Sequence, residues 1–527
     1  MFSYLPGLFA PFTSTNTKQE QTRTQLSTAL HQNRPRCLLG SRGKDMQAIP
    51  SIHPSEAQPL LPLRVLDIGD FRLPQQRVRL HVRIPGEREH YATLSHRWGG
   101  KLPLRTTRKT LNPHLKNVPI QSLPATFCDA IEVTRLLGIR YLWIDALCII
   151  QDDKQDWETQ AAEMGAIYQH SLVTIAVHSA RNSSEGFLWR RDIPDLLRIT
   201  RESKDKDHGV WVKVPPLSDR ALFLALHSSE ITRRAWVAQE MSLSPRILHF
   251  VEDKMFWECH CSNGSCYFDD SEIALRNMFR RVVPRPSENW LDFLKMYSSC
   301  QMTKSGDKLP AITGIAKSLS WSSNPHQSSK YYCGIFDNDV YKSLLWYREN
   351  KPLVKRVGRA PSWSWASVDG EISFEMLVLD SDATIMPTME VVAFECGCGN
   401  DSQWHTTCNK CTIQLKTLVG GELELGFPEK KKRFSVAPLD GPRKIMSLFR
   451  HSKCVGWALF DSFGNNVPIL RYIQTSCVSV NGEQKGYFVI IVKPVGKMKR
   501  VYSRVGVGYI FCEDIFHALQ LKQVTLI

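Results

Sequence analysis

The chain has 527 residues, 43% of them hydrophobic and 23% charged, with a formal net charge of +15 and a pI near 9.1. That length accommodates two or three domains, each with its own core, and the composition is that of an ordinary globular protein. No run of about 18 apolar residues is present, which excludes a transmembrane helix, and the basic clusters at Lys430–Arg433 and Arg190–Arg191 form no aromatic-interleaved stripe, which argues against a nucleic-acid interface.

Residues 1–60 are rich in Ser, Thr, Gln and Pro and poor in periodic apolar positions, and are expected to form a disordered tail. The opening MFSYLPGLFAPF is apolar, but no positive charge precedes it and Pro6 and Pro11 interrupt it, so it reads as tail rather than signal peptide. From Arg64 the pattern changes. RVLDI (64–68) and RVRLHVRI (77–84) alternate as strands do, and YATLSHRWGG (91–100) reads as a strand running into a glycine-closed turn. In 123–140, Phe127, Ile131, Thr134 and Leu137 share one helical face. Ser122 is placed to cap that helix, Pro124 fits its first turn, and Gly138 suits its end.

The run YLWIDALCIIQDD (141–153) follows. Residues 141–150 read as a buried strand that carries Asp145 towards its end. A carboxylate in such a run is costly unless it is paired or sits at the open end of a sheet, where α/β proteins gather their ligands. Asp152 or Asp153 can cap a second helix, on which Trp157, Ala161, Met164 and Tyr168 share a face, and SLVTIAV (171–177) is another buried strand. Strand–helix–strand–helix–strand in this order predicts a parallel sheet with right-handed crossovers. A charged loop (201–209) and a strand near 210–214 lead to RRAWVAQEMSLSPRILHF (233–250), a helix followed by a strand. Arg233, Trp236 and Glu240 lie on one face of that helix. Residues 252–527 read as a mixed, β-containing region with a helical segment near 273–300.

Fifteen cysteines scattered through a large chain, with Cys128 and Cys148 inside apolar patterns, predict reduced structural thiols in a cytoplasmic, intracellular setting. Cys396, Cys398, Cys408 and Cys411, with His405 between the pairs, are candidate ligands of a structural zinc, although C-x-C is less usual than C-x-x-C. Cys259, His260, Cys261 and Cys266 read as strand and loop residues.

Three blocks together resemble the fungal heterokaryon-incompatibility (HET) domain: YATLSHRWGG; the stretch from LPATFCDAI through YLWIDALCIIQDD to EMGAIYQHSLVTIAV; and RRAWVAQEMSLSPRILHF. Weaker signatures follow at 297–316, 342–347, 360–370 and 502–511. His96 departs from the pattern, standing where an aromatic residue is more usual. The resemblance implies a HET domain over 61–250 with a leading β segment, and a mixed α+β, β-rich region over 251–527. It implies a role in non-self recognition and programmed cell death, with protein partners and self-association. Through a proposed kinship with TIR domains it also implies a TIR-like, flavodoxin-like α/β fold and NAD as a possible substrate. On that comparison Glu240 is the candidate catalytic residue, and Ser95, Arg97, Trp98, Asp145, Arg234 and Trp236 are candidate ligand-binding residues. Each has a structural alternative: Glu240 as an ion-pair partner of Arg233 or Arg246, Asp145 as a hydrogen-bond hub, and the tryptophans as core. The alternative for the whole domain is a non-enzymatic signalling module that recruits partners.

Overall fold

The computed structural model describes residues 58–69, 77–100, 104–188, 196–200, 209–213, 226, 228–251, 254–259, 289–322, 329–348, 354–355, 358–374, 383–396, 410–421, 424–426, 446–450, 452–461, 470–496 and 500–527. The expected N-terminal tail up to residue 57, the clusters Arg190–Arg191 and Lys430–Arg433, the loop 201–208, the segment 273–288, and His260, Cys261, Cys266, Cys398, His405 and Cys408 lie outside them. The chain divides into two compact units, residues 1–232 with 243–282, and residues 233–242 with 283–527.

The first unit is built on a seven-stranded sheet. Its strands are β1 (Arg64–Asp67), β2 (Arg79–Val82), β3 (Tyr91–Ser95), β4 (Tyr141–Trp143), β5 (Val173–Val177), β8 (Arg246–Val251) and β9 (Lys254–Cys259), in the order β2-β1-β4-β3-β5-β8-β9. A separate hairpin pairs β6 (Leu196–Thr200) with β7 (Gly209–Lys213). The four central strands β4, β3, β5 and β8 are mutually parallel, as the strand–helix alternation predicts, while β1, β2 and β9 add antiparallel edges. Every residue of β3, β4 and β5 is buried, the pattern of strands covered on both faces.

Among the described residues this unit carries the helices α1 (Leu111–Lys116), α2 (Ala125–Leu136), α3 (Asp145–Cys148) and α4 (Lys154–Gln169). Helix α4 begins as expected: Asp153 is its N-cap and accepts hydrogen bonds from the Gln155 and Asp156 amides. Ala161, Met164 and Tyr168 bury its inner face, and Tyr168 meets Trp143 edge-on with ring centroids 5.7 Å apart. Gly138 follows α2 with φ +71°, the left-handed conformation that ends helices. Two expectations are corrected here. Pro124, not Ser122, occupies the cap position of α2, with no side-chain cap. Residues 141–150 are not one strand: β4 stops at Trp143 and the chain turns at once into α3. Asp145 is the first residue of that helix, and its Oδ1 accepts the Ala146 amide at 2.7 Å, a favourable place for a carboxylate.

The second unit includes all but the last residue of α5 (Ala235–Leu243), together with α6 (Trp290–Ser299) and α7 (Pro310–Ser322). A hairpin of β10 (Tyr331–Tyr332) and β11 (Ile335–Phe336) leads to α8 (Val340–Ser343). Short pairings then join β12 (Tyr347–Arg348) to β15 (Ile372–Ser373) and β13 (Val354–Lys355) to β14 (Val368–Asp369). Its main body is a ten-stranded sheet: β16 (Ala383–Pro387), β17 (Glu390–Glu395), β18 (Thr412–Gly420), β19 (Glu424–Gly426), β20 (Met446–Arg450), β21 (Lys453–Phe460), β22 (Arg471–Val480), β23 (Glu483–Pro494), β24 (Val501–Ile510) and β25 (Leu521–Leu526). A short helix α9 (Asp514–His517) precedes β25. The pairing runs β22-β18-β25-β24 and returns through β23 to β22, so five strands close a ring. Closure leaves these five strands without an open edge, while β16, β17 and β19 pair on one side only. Val455, Ala458, Val489, Ile491 and Ile510 belong to its buried cluster. Among the described residues no helix is long and apolar enough to cross a membrane.

Candidate functional site

In chain order the parallel strands run β3, β4, β5, β8, but across the sheet they run β4, β3, β5, β8. The chain leaves β3 towards one side and comes back to β5 on the other. With right-handed crossovers, the connecting helices fall on opposite faces and a crevice opens outside the carboxyl ends of β3 and β5. A cavity of about 520 Å³ lies there, lined by residues 97–100 after β3 and 181–184 after β5.

The loop after β3 is fixed by several bonds. Trp98 donates its indole N–H to Asp145 Oδ2 at 2.8 Å, which ties the loop to the start of α3. The Trp98 carbonyl accepts the Ser183 hydroxyl at 3.1 Å and the Ser183 amide at 3.3 Å. Gly99 has φ +75°, and a Cβ there would stand 2.2 Å from Asn182 Cβ, so only glycine lets the two loops approach this closely. Arg97 reaches Glu230 at 3.3 Å, with both side chains more than a third exposed. A surface pair of that kind contributes little stability, so an incoming anion can replace Glu230 at the guanidinium. Arg181 is a second arginine in the lining.

Of the candidate residues in this unit, Arg97 and Trp98 line the cavity and Asp145 holds Trp98 from behind. Ser95 is fully buried at the end of β3, and its Oγ has no hydrogen-bond partner among the described residues. His96 is 2% exposed and meets Phe127 edge-on at 5.2 Å, so the imidazole fills the aromatic place in the core. Cys148 is buried, and burial pushes its thiol up to about 12, the behaviour of an inert core cysteine.

Arg234, Trp236 and Glu240 stand in the second unit. Arg234 bridges to Gln301, Trp236 donates its indole N–H to Asp307 at 3.1 Å, and the neighbouring Gln239 accepts the Gly314 amide at 3.0 Å. Burial pushes the Asp307 carboxyl above its ordinary value, and the Trp236 bond opposes that rise. Glu240 is 4% exposed. Of the four proposed zinc ligands, Cys396 and Cys411 are described, and they are joined as a disulfide. That corrects the expectation of uniformly reduced thiols.

One buried network escapes the sequence. Ser229 Oγ lies 3.2 Å from His178 Nδ1, His178 Nε2 lies 3.0 Å from His249 Nδ1, and His249 Nε2 lies 3.0 Å from Glu258 Oε2. The Glu258 carboxylate can only accept, so with both rings neutral each histidine donates towards Glu258 and Ser229 donates into the chain. The signal was the register of neighbouring strands, which places His249 opposite Ala176, two residues before His178. Burial, and next the neighbouring His249, push His178 well below 6.5, while Glu258 opposes them.

A folded pKa below the unfolded value means that the unfolded chain takes up the proton first. The stability from His178 is therefore present above about pH 6.5 and falls by about 1.4 kcal/mol per pH unit below it. Urea denaturation at a series of pH values should show this slope in the wild type and a shallower one in His178→Gln. Equal slopes in the two proteins would refute the assignment.

Residues 91–240 match the family model described as Heterokaryon incompatibility protein (HET). No curated protein and no solved structure matches the chain.

Proposed function

Residues 91–240 form a heterokaryon-incompatibility (HET) domain, and from that premise we propose that the chain is an intracellular effector of non-self recognition that triggers programmed cell death by hydrolysing NAD. The observation that supports this reading is the cleft at the switch point of the parallel sheet, which carries Arg97 and Arg181. The order 2-1-3-4 of the four parallel strands, with a crevice between the first and third, is what supports reading this sheet as flavodoxin-like and TIR-like. Two arginines in one lining suit a pyrophosphate, and Trp98 lines the same cavity. Hydrolysis of the nicotinamide–ribose bond develops an oxocarbenium-like charge, which a carboxylate stabilises while water supplies the new oxygen. The candidate for that carboxylate is Glu240, by its W-x-x-x-E spacing from Trp236; it belongs to the second unit and is not assigned to the Arg97–Arg181 cleft. Self-association belongs to the same reading as the event that switches the activity on.

The purified chain incubated with NAD should release nicotinamide. Glu240→Ala should lower the rate roughly 100-fold or more, the scale of losing one stabiliser of a developing charge. No turnover from a folded, self-associated wild-type sample would sink the hydrolase reading. A second reading has its own observation: Asp145 accepts from Trp98 and Ala146, and Trp236 donates to Asp307, so these groups hold loops and helices in place. That favours a non-enzymatic module that recruits partners. Toxicity in a fungal host that survives Glu240→Ala would select it.

A further inference from the structure

We propose that Cys333, Cys396 and Cys411 are the ligands of a zinc ion, and that the Cys396–Cys411 disulfide is the oxidised, metal-free form of this site. The three sulfurs lie within 4.8 Å of one another, and tetrahedral zinc with Zn–S bonds of about 2.3 Å holds its sulfurs about 3.8 Å apart. All three residues belong to the second unit.

The fold brings them together from separate parts of the chain. Glu395 at the end of β17 pairs with Thr412 at the start of β18, so Cys396 and Cys411 face each other just past the last pair of that ladder. Cys333 arrives on the β10–β11 hairpin. Tyr332 stacks on Phe394 with centroids 4.2 Å apart and an interplanar angle of 1°, which docks the hairpin tip beside the end of β17.

The backbone at Cys333 is the independent observation. Tyr332 pairs with Ile335, so Cys333-Gly334 is a two-residue hairpin turn, and both residues have positive φ, +46° and +106°. That turn favours Asn or Asp followed by Gly. Cysteine gains nothing there from its backbone preference, and a non-glycine residue held left-handed is a strained placement that points to a use of its side chain. The turn is also clamped: Ser364 Oγ donates to the Cys333 carbonyl at 2.5 Å, and Trp365 Nε1 donates to the Gly334 carbonyl at 2.7 Å. Cys333 is 4% exposed, and its sulfur lies with those of Cys396 and Cys411.

The chemistry balances. Two equivalents of a thiol reductant supply two electrons and two protons to the disulfide, giving two cysteine thiols and the reductant's own disulfide. Zinc then displaces the protons of the three thiols, leaving one tetrahedral position for a further ligand. Cys398, His405 and Cys408 lie outside the described residues and are not assigned to the site.

The test uses the full chain, reduced under anaerobic conditions and titrated with zinc against a chromophoric chelator, with bound metal counted by elemental analysis. One equivalent is expected for the wild type, and cobalt in its place should give a thiolate-to-metal charge-transfer band. Cys333→Asn installs the residue the turn prefers, so it should fold while losing affinity beyond the roughly 10–100-fold that outer-shell changes cost. Cys333→Ser should lose it similarly and decides the matter should the asparagine variant fail to fold. Reduced wild-type protein without stoichiometric zinc, or undiminished affinity in the folded variant, overturns the proposal.

Discussion

Arg64→Ala should destabilise the first unit by about 3–5 kcal/mol, the range for breaking a buried ion pair from one side. Arg64 opens β1 and is 6% exposed. Its Nη2 donates to both oxygens of Asp156, at 2.6 and 2.5 Å, and its Nε donates to the Cys148 carbonyl at 2.7 Å. One guanidinium therefore ties the strand to the end of α3 and to the first turn of α4, and Asp156 also accepts the Ile150 amide. Truncation leaves a mostly buried carboxylate without its cation and a buried carbonyl without its donor, and each omission carries a desolvation penalty. The pair itself is a different quantity from the cost of breaking it, because an apolar pair of similar volume can replace buried charges at little loss. Arg64→Met with Asp156→Leu should accordingly be less damaging than Arg64→Ala alone. Chemical denaturation of the three proteins measures this. A loss below about 1 kcal/mol for Arg64→Ala would show that the triple contact adds nothing beyond a surface pair.

That Arg64 matters was not legible in the sequence, and the reason is general to this chain. Periodicity identified β3, α2, α4 and β5, because an apolar stripe reports directly on which face is buried. It merged β4 with α3, because in a short continuous apolar run a buried strand and a buried helical turn look alike, and only the bond from Asp145 to Ala146 separates them. The cleft was half legible. Arg97 and Trp98 followed a predicted strand, but Arg181 joins them only once β5 is known to lie beside β3. Cys333 was passed over for the same reason. The C-x-C and C-x-x-C pairs announce themselves by spacing, whereas a lone cysteine at a hairpin tip gains meaning from a stacking contact between residues 62 apart in sequence, Tyr332 on Phe394. Arg64 looked like the flank of a strand because its partners lie 84 and 92 residues further on.

In the second unit the corresponding expectation is that Arg504→Ala costs about 3–5 kcal/mol and that Arg504→Lys recovers only part of it. The Arg504 side chain is wholly buried in β24. Its Nη1 donates to Asp461 Oδ2 at 2.6 Å, its Nη2 to the Trp346 carbonyl, and its Nε to the Leu344 carbonyl at 3.3 Å, while its Cζ lies 3.4 Å from the centre of the Trp346 ring. Burial pushes the guanidinium below its ordinary value and Asp461 opposes that shift, but arginine starts so high that the charge is retained. The planar fork satisfies a carboxylate and two carbonyls on one side chain and presents a flat cation to the indole, which an ammonium on a flexible stem does not reproduce. Lysine keeps the charge for Asp461 and leaves at least one carbonyl unsatisfied. Asp461→Asn keeps an acceptor and removes the counter-charge, so its loss should be the smallest of the three. Denaturation midpoints in the order wild type, Asp461→Asn, Arg504→Lys, Arg504→Ala would identify the carbonyl contacts and the stack as the larger part of what Arg504 does. Asp461→Asn equal to Arg504→Ala would instead reduce its role to the ion pair.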